Sequence, residues 1–179
     1  MSGLPPVLLF DLDDTILDLS RTALRLWAEL CRRFAPELRP GTDPDALFAA
    51  VGAAVQRFWR DPECRRWGGL DLERARRVIV ADAFTRSGAG SGTAAFAFAD
   101  TFSRERRDFI EPFPGAIETL VGLRERGLRL GLVTNGRSKT QREKIRRFDL
   151  ARHFDVIAVE EEFGVGKPDP AIFLRSAQR

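Results

Sequence analysis

Short apolar runs alternate with segments of helical periodicity in two parts of the chain. Val7–Phe10 is a continuous apolar run, which predicts a strand buried on both faces. Further along, the pattern predicts strands at Arg129–Val133 and near Phe154–Val159, with helices over Ala116–Arg126 and about Lys139–Phe148. Strands that alternate with helices are typical of an α/β fold with a parallel, doubly wound sheet.

A long helical stretch separates the first strand from the rest of this pattern. Apolar residues recur at helical spacing within it, and Asp43-Pro44 supplies a cap followed by a proline at the first helical position. At roughly 90 residues, the stretch is too long for a single crossover. We therefore predict a core formed by residues 1–18 and 111–179, with residues 19–110 inserted as a helical cap over the strand ends.

The composition suits one compact domain, or a core with an inserted subdomain. The chain has 179 residues, of which 44% are hydrophobic and 31% charged, so a core can form and disorder is not expected. No apolar run is long enough to span a membrane. The first residues lack the charged region of a signal peptide, so we expect a cytoplasmic protein. Cys31 and Cys64 lie far apart and fit neither a zinc nor a redox spacing.

Basic residues are frequent but are mixed with acidic ones. The 29 basic and 26 acidic residues give a net charge of +3. Arginine pairs such as Arg76-Arg77 lie among Asp and Glu along predicted helices, which is typical of solvated helix faces and not of a nucleic-acid-binding stripe. We therefore expect neither nucleic acid nor a membrane as a partner.

Polar clusters follow the predicted strands, at the edge where open parallel sheets bind ligands. Asp11 and Asp13 leave the first strand two residues apart, and in extended geometry both carboxylates point the same way. One carboxylate of such a pair can attack while the other handles a proton, and their repulsion favours a divalent cation bound through oxygen. A helix cap or a solvated loop is the alternative for this segment.

Two further clusters, Thr134-Asn135-Gly136 and Gly164–Pro168, follow the later strands. The first offers a hydroxyl, an amide and backbone N–H groups ahead of a helix, which suit a phosphate oxygen, although an ordinary strand-to-helix turn uses the same residues. In the second, Lys167 is one of only three lysines in the chain. Its ammonium can hold a phosphoryl oxygen and help to keep Asp11 ionised, whereas a lone loop lysine is usually only solvated.

Three motifs taken in order resemble the haloacid dehalogenase superfamily. They are Asp11-Leu12-Asp13-Asp14-Thr15, Val133-Thr134-Asn135-Gly136 and Gly166-Lys167-Pro168-Asp169-Pro170. The resemblance covers essentially the whole chain, and the helical insertion is similar to that of members with an α-helical cap. The segment from Thr134 to Phe173 is similar to the branch that contains nucleotidases and N-acylneuraminate-9-phosphatases. The resemblance implies a Rossmann-like core and a phosphatase that acts on a small phosphorylated metabolite.

The same resemblance implies a role for each motif residue. Asp11 would attack phosphorus and form an aspartyl phosphate, and Asp13 would act as general acid and then as general base. Thr134, Asn135 and Lys167 would bind the phosphoryl group, and Mg²⁺ would be held by Asp11 and by the backbone carbonyl of Asp13. True dehalogenases of the superfamily lack an acid at the position of Asp13, so halide chemistry is disfavoured. A phosphomutase that uses the same aspartyl phosphate remains an alternative, because the core motifs do not distinguish the two.

One departure from the family pattern limits these expectations. Family members continue into another strand with an acidic cluster that supplies further magnesium ligands, whereas this chain ends at Arg179, in the helix after Lys167. Glu160-Glu161-Glu162 are expected to form a solvated turn and not to replace that cluster. The first strand would then have an exposed edge, so we expect weak activity and self-association through that edge. A non-catalytic remnant that acts only in binding is a second alternative.

Overall fold

The computed structural model describes residues 7–69, 71–90 and 92–177. Residues 1–6, 178 and 179 of the predicted core lie outside the described residues. The chain divides into two compact units, which we call the sheet unit (Met1–Leu19 with Glu111–Arg179) and the helical unit (Ser20–Ile110).

Parallel strands form the centre of the sheet unit. The strands of the described residues are β1 Val7–Phe10, β2 Leu17–Asp18, β3 Glu111–Pro112, β4 Arg129–Thr134 and β5 Val156–Val159. The order β1-β4-β5 builds a three-stranded parallel sheet, in which Gly131 of β4 lies opposite Leu9 on one side and Val156 on the other. The predicted α/β class with a parallel sheet is therefore observed.

The burial of β1 differs from the prediction. A strand buried on both faces was expected, yet all four residues of β1 are only half-buried. In the described sheet β1 has β4 as its single strand neighbour, whereas β4 lies between two strands and is almost wholly buried. An apolar run therefore indicated a strand here without indicating its place in the sheet.

Helices make up most of the described chain. They are α1 Ser20–Phe34, α2 Pro44–Arg60, α3 Pro62–Gly68, α4 Leu72–Ser87, α5 Thr93–Phe109, α6 Ala116–Glu125, α7 Ser138–Arg147, α8 Glu160–Phe163 and α9 Pro170–Ala177. The predicted cap of α2 is confirmed, because the Asp43 carboxylate accepts hydrogen bonds from the N–H groups of Asp45 and Ala46. Across residues 7–69, 71–90 and 92–177, no helix combines the length and the apolar character needed to cross a membrane.

The helical unit has its own hydrophobic core. Trp27 of α1 stacks on Phe102 and Phe98 of α5, with ring-centroid distances of 3.5 and 5.8 Å. The thiol of Cys31 lies in the same core, and burial raises its pKa to about 12. Other side chains of this core are fully buried, among them Leu26, Leu30, Leu47, Val80 and Phe84. Burial of this apolar surface is the main stabilising contribution to the unit.

A two-stranded antiparallel pair lies where the chain leaves and re-enters the sheet unit. Leu17 of β2 pairs with Pro112 of β3, and Asp18 pairs with Glu111. The sequence analysis did not predict this pair, because a strand of two residues has no periodicity to detect. The pair holds together two segments that are more than 90 residues apart in sequence, at the two points where the chain passes between the units.

Candidate functional site

A tight turn carries the first polar cluster out of β1. Leu12 is fully buried and anchors the turn, and the N–H of Asp14 donates to the carbonyl of Leu17 at 2.8 Å. Asp14 has a φ of +56°, a left-handed conformation that Asp adopts more readily than most residues. The turn leaves Asp11 at the carboxyl end of the sheet and Asp13 two residues further along.

Asp11 forms an ion pair with Lys167. The Lys167 ammonium lies 2.5 Å from Oδ1 of Asp11, and the same oxygen accepts a hydrogen bond from the Leu12 N–H at 2.7 Å. The two side chains are 39% and 23% exposed, so solvent reaches the pair. Two residues that are far apart in sequence and were chosen as nucleophile and phosphate ligand thus meet in space.

Asn135 joins the second cluster to the third. Its amide nitrogen donates to the carbonyl of Lys167 at 2.8 Å, and its amide oxygen accepts from the Lys167 N–H at 2.7 Å. The side chain predicted to bind phosphate therefore holds the backbone of the lysine that pairs with Asp11. Thr134, at the end of β4, is buried with 1% of its surface exposed.

Gln141 and Lys144 of α7 also lie in the site, although the sequence analysis did not select them. The Lys144 ammonium lies 2.6 and 2.7 Å from the two carboxylate oxygens of Asp13. The amide nitrogen of Gln141 lies within hydrogen-bond distance of Asp13, of the Thr134 hydroxyl and of the Asn135 carbonyl. The available signal was the rarity of lysine together with the spacing of three residues, which places both side chains on one face of a helix.

The three glutamates before the lysine loop correct an expectation. They were predicted to form a solvated turn, but Glu160–Phe163 is the short helix α8, and its carboxylates bind the start of α7. Glu160 accepts from the Gly136 N–H at 2.8 Å and Glu161 from the Ser138 N–H at 2.7 Å. A helix N-terminus attracts carboxylates, so these groups occupy backbone donors that the sequence had offered to a phosphate.

Glu162 is the most strongly held of these carboxylates. It accepts two hydrogen bonds from the Arg142 guanidinium, at 2.8 and 2.5 Å, and one from the Ser138 hydroxyl. These bonds, with the bond from Arg142 foremost, lower the pKa of Glu162 to about 2. The acidic segment therefore braces α7, the helix that carries Gln141 and Lys144.

Comparison with known proteins identifies the family. The haloacid dehalogenase-like hydrolase family matches residues 5–179. This chain is a haloacid dehalogenase-like hydrolase. A phosphoserine phosphatase of Thermus thermophilus is 33% identical to it, over 93% of this chain and 72% of the relative. A glyceraldehyde 3-phosphate phosphatase of Methanopyrus kandleri is 32% identical, over 96% and 68%.

Solved structures of haloacid dehalogenase-like hydrolases support the same assignment. The hydrolase YfnB from Bacillus subtilis, described as bound to magnesium, has a TM-score of 0.61 at 26% identity and covers 94% of this chain and 69% of its own. A Thermotoga maritima structure assigned as a β-phosphoglucomutase has a TM-score of 0.62 at 19% identity, which shows the fold alone. The predicted family and α/β fold are confirmed, and the relatives support a phosphoric monoester hydrolase.

The donor groups of this haloacid dehalogenase-like site fit a magnesium ion whose coordination is completed by water and by the substrate. The described residues contain no group of three or more His, Cys, Asp or Glu side chains that could hold a metal by themselves. Mg²⁺ commonly uses one or two carboxylates together with water and the phosphate oxygens of a substrate. Asp11 would supply one carboxylate and Asp13 its backbone carbonyl, since the Asp13 carboxylate is held by Lys144, and this donor set fits such a substrate-completed site.

Proposed function

We propose that this chain hydrolyses a small phosphate monoester by passing the phosphoryl group through Asp11. One observation carries the proposal: Oδ1 of Asp11 lies 2.5 Å from the Lys167 ammonium and accepts a hydrogen bond from the Leu12 N–H. A carboxylate that a cation and a backbone N–H hold in place, and that solvent still reaches, is suited to nucleophilic attack.

The first step transfers the phosphoryl group to the enzyme. An oxygen of the Asp11 carboxylate attacks phosphorus and forms an acyl phosphate bond, while the bond between phosphorus and the ester oxygen breaks. Protonated Asp13 gives its proton to the departing oxygen, so the product is a neutral alcohol. The Lys167 ammonium and the Thr134 hydroxyl stabilise the negative charge on the phosphoryl oxygens.

The second step releases phosphate. Asp13, now ionised, takes a proton from water, and the resulting hydroxide attacks the phosphorus of the aspartyl phosphate. The bond to Asp11 breaks, which returns the Asp11 carboxylate and frees inorganic phosphate. Asp13 is protonated again for the next cycle. Each carboxylate thus has one task, and separate lysines pair with the two carboxylates.

Magnesium is part of this proposal. Asp11 would hold it together with the backbone carbonyl of Asp13 and the phosphate of the substrate, and it would neutralise phosphoryl charge during transfer. The description of YfnB as bound to magnesium supports this assignment.

We propose the cytoplasm as the compartment, where the free thiols of Cys31 and Cys64 would stay reduced.

A small phosphorylated metabolite is the proposed substrate class. Relatives named for phosphoserine and for glyceraldehyde 3-phosphate support this class. Both compounds are short, anionic monoesters, and we propose the helical unit as the part that selects among such substrates, because accessory domains vary on a shared core.

The test is an assay of phosphate release from a panel of monoesters that includes phosphoserine and glyceraldehyde 3-phosphate. We expect Mg²⁺-dependent release that EDTA abolishes, and we expect Asp11→Asn to lower kcat by more than about 10³-fold because the nucleophile is lost. Asp45→Asn, an exposed change in the helical unit, is the matched control and should keep wild-type activity.

The same assay separates the alternatives. An isomeric phosphate ester formed without release of inorganic phosphate would identify a phosphomutase. Asp11→Asn with the activity of the wild type would reject the aspartyl-phosphate mechanism. A wild-type chain that is inactive on every ester, with and without Mg²⁺, would favour a protein that acts only in binding.

A further inference from the structure

Two buried polar side chains of α7 face the site. Gln141 and Lys144 are 3% and 9% exposed and lie three residues apart, so they share one face of the helix. Side chains of these types are rarely buried without a partner, because removing an amide or an ammonium from water is costly. Their partners are the residues to which the proposed chemistry assigns acid–base work and phosphate binding.

Lys144 fixes the carboxylate of Asp13. Its ammonium contacts both oxygens, at 2.6 and 2.7 Å, and so restricts the plane and direction of the carboxylate. The lysine side chain is 11% exposed and that of Asp13 31%, so the cation is on the buried side of the pair. A group that transfers protons must be held within hydrogen-bond reach of the reacting oxygen, and this contact restricts where Asp13 can reach.

Gln141 joins Asp13 to Thr134. Its amide nitrogen lies 3.1 Å from Oδ2 of Asp13, 2.8 Å from Oγ1 of Thr134 and 2.6 Å from the carbonyl oxygen of Asn135. The reversed amide would place its oxygen 2.6 Å from the Asn135 carbonyl oxygen, which cannot donate, so the nitrogen belongs on this side. In this orientation the amide oxygen, Oε1, is buried and accepts no hydrogen bond from the described residues.

This contact directs the Thr134 hydroxyl. Because Gln141 donates to Oγ1, the hydroxyl proton must point away from the amide. The one further contact recorded for it, to the Asn135 carbonyl, is long at 3.5 Å, and that carbonyl already accepts from Gln141. The proton is therefore available to a phosphoryl oxygen of a bound substrate.

We propose that Lys144 and Gln141 are positioning residues of the phosphoryl-transfer site. Lys144 acts on Asp13, and Gln141 acts on Asp13 and Thr134 together. The proposal rests on the proposed function. It adds a helix to a site otherwise built from the loops after the strands. It also predicts different effects for the two residues, which a purely structural role would not produce. Loss of Lys144 affects the acid–base group, whereas loss of Gln141 also affects phosphate binding.

Steady-state kinetics on the phosphate ester that the wild type hydrolyses best, together with calorimetric titration of inorganic phosphate in Mg²⁺ buffer, test this distinction. Lys144→Met should lower kcat by about tenfold or more while KM stays within about twofold. Gln141→Met, of similar length but without donors, should lower kcat and raise both KM and the phosphate Kd, by roughly fivefold or more. Arg146→Gln, an exposed change on the same helix, is the control and should alter none of these.

Thermal unfolding of each variant shows whether folding is affected, and Lys144→Gln and Gln141→Glu replace the methionine variants if those fail to fold. Kinetic constants within about twofold of the Arg146→Gln control in both positions would overturn the positioning roles, as would a lower Tm with unchanged kcat per folded enzyme. An identical effect on KM from both substitutions would overturn the assignment of different roles to Lys144 and Gln141. A wild type that releases no phosphate, or activity retained in Asp11→Asn, would instead overturn the proposed function on which the roles rest.

Discussion

Glu162 has two partners on α7, and the stability that these contacts contribute depends on pH. The Arg142 guanidinium and the Ser138 hydroxyl both donate to it, and they lower its pKa from the ordinary 4.5 to about 2. A group whose pKa is lower in the folded state contributes stability above its unfolded pKa. That contribution is lost as the pH falls through the folded pKa. The window for Glu162 therefore lies between about pH 4.5 and pH 2.

Glu162→Gln should reveal this window. Near pH 7 the change should lower the free energy of unfolding by about 0.2–1 kcal/mol, because the partners are partly exposed and solvent weakens the ion pair. The difference from the wild type should shrink as the pH falls below about 4.5 and vanish near pH 2. Urea unfolding at several pH values measures it, with the exposed Glu125→Gln as control. A difference that grew toward low pH would contradict this account.

The residues of the candidate site were predictable to different degrees. Asp11 stands out because it directly follows an apolar run, and Lys167 because it is one of three lysines and lies in a loop between glycine and proline. The structure places the two side chains 2.5 Å apart. Gln141 and Lys144 could not be selected by the same argument. A polar residue on a helix is normally solvated, so the rarity of lysine and the spacing of three are weak signals, and the contacts with Asp13 and Thr134 decide the matter.

At the level of single elements, β4 contains a glycine at which any side chain would collide with its neighbours. A Cβ on Gly131 would lie 2.5 Å from Cδ2 of Leu9 and 2.9 Å from Cγ1 of Val156, the residues opposite it in the neighbouring strands. Both side chains lean over the glycine, so its lack of a side chain is what allows them to pack there. Gly122 of α6 is a contrasting case, because an added Cβ would meet nothing within 4 Å.

Gly131→Ala and Gly122→Ala should therefore change stability in opposite directions. The first should destabilise the fold by about 1–3 kcal/mol through overpacking. The second should stabilise it by about 0.5–1 kcal/mol, because alanine restricts the unfolded chain and favours a helix. Chemical denaturation of the two variants under one set of conditions measures both signs. Stabilisation by Gly131→Ala would show that the close packing over β4 is not as described.

Several longer elements were predictable from the pattern, and the shortest ones were not. The pattern located β4, α6 and α7 to within two residues at either end, since each has enough positions to show a period. It missed β2, β3 and the seven-residue α3. These elements owe their structure to partners brought near by the fold, or to a cap and a proline, and not to periodicity.

On the scale of the whole molecule, each unit has an apolar core of its own. The helical unit is centred on aromatic side chains such as Phe98, which has no exposed surface. Val133, Ala158 and Ile172 form a buried cluster in the sheet unit. Regions with separate cores can open with separate free energies, and hydrogen exchange resolves such openings.

Phe98→Ala tests this independence. Truncation of a buried ring should destabilise the helical unit by about 3–5 kcal/mol, whereas Phe96→Ala, on the same helix and 48% exposed in the wild type, should change stability by less than about 0.5 kcal/mol. Amide hydrogen exchange should accelerate in α1, α4 and α5 of the first variant while β4 keeps its protection. Equal loss of protection in β4 would mean that the two units unfold as one.

The pairing of β2 with β3 has a consequence for how such chains diversify. Two antiparallel strands such as β2 and β3 can be joined by a two-residue hairpin turn. Here the connection between the paired residues Asp18 and Glu111 is the entire helical unit. The entropy cost of closing an insertion grows only with the logarithm of its length. Accessory domains of other sizes, starting and ending at these two residues, could therefore replace one another without altering the register of the parallel sheet.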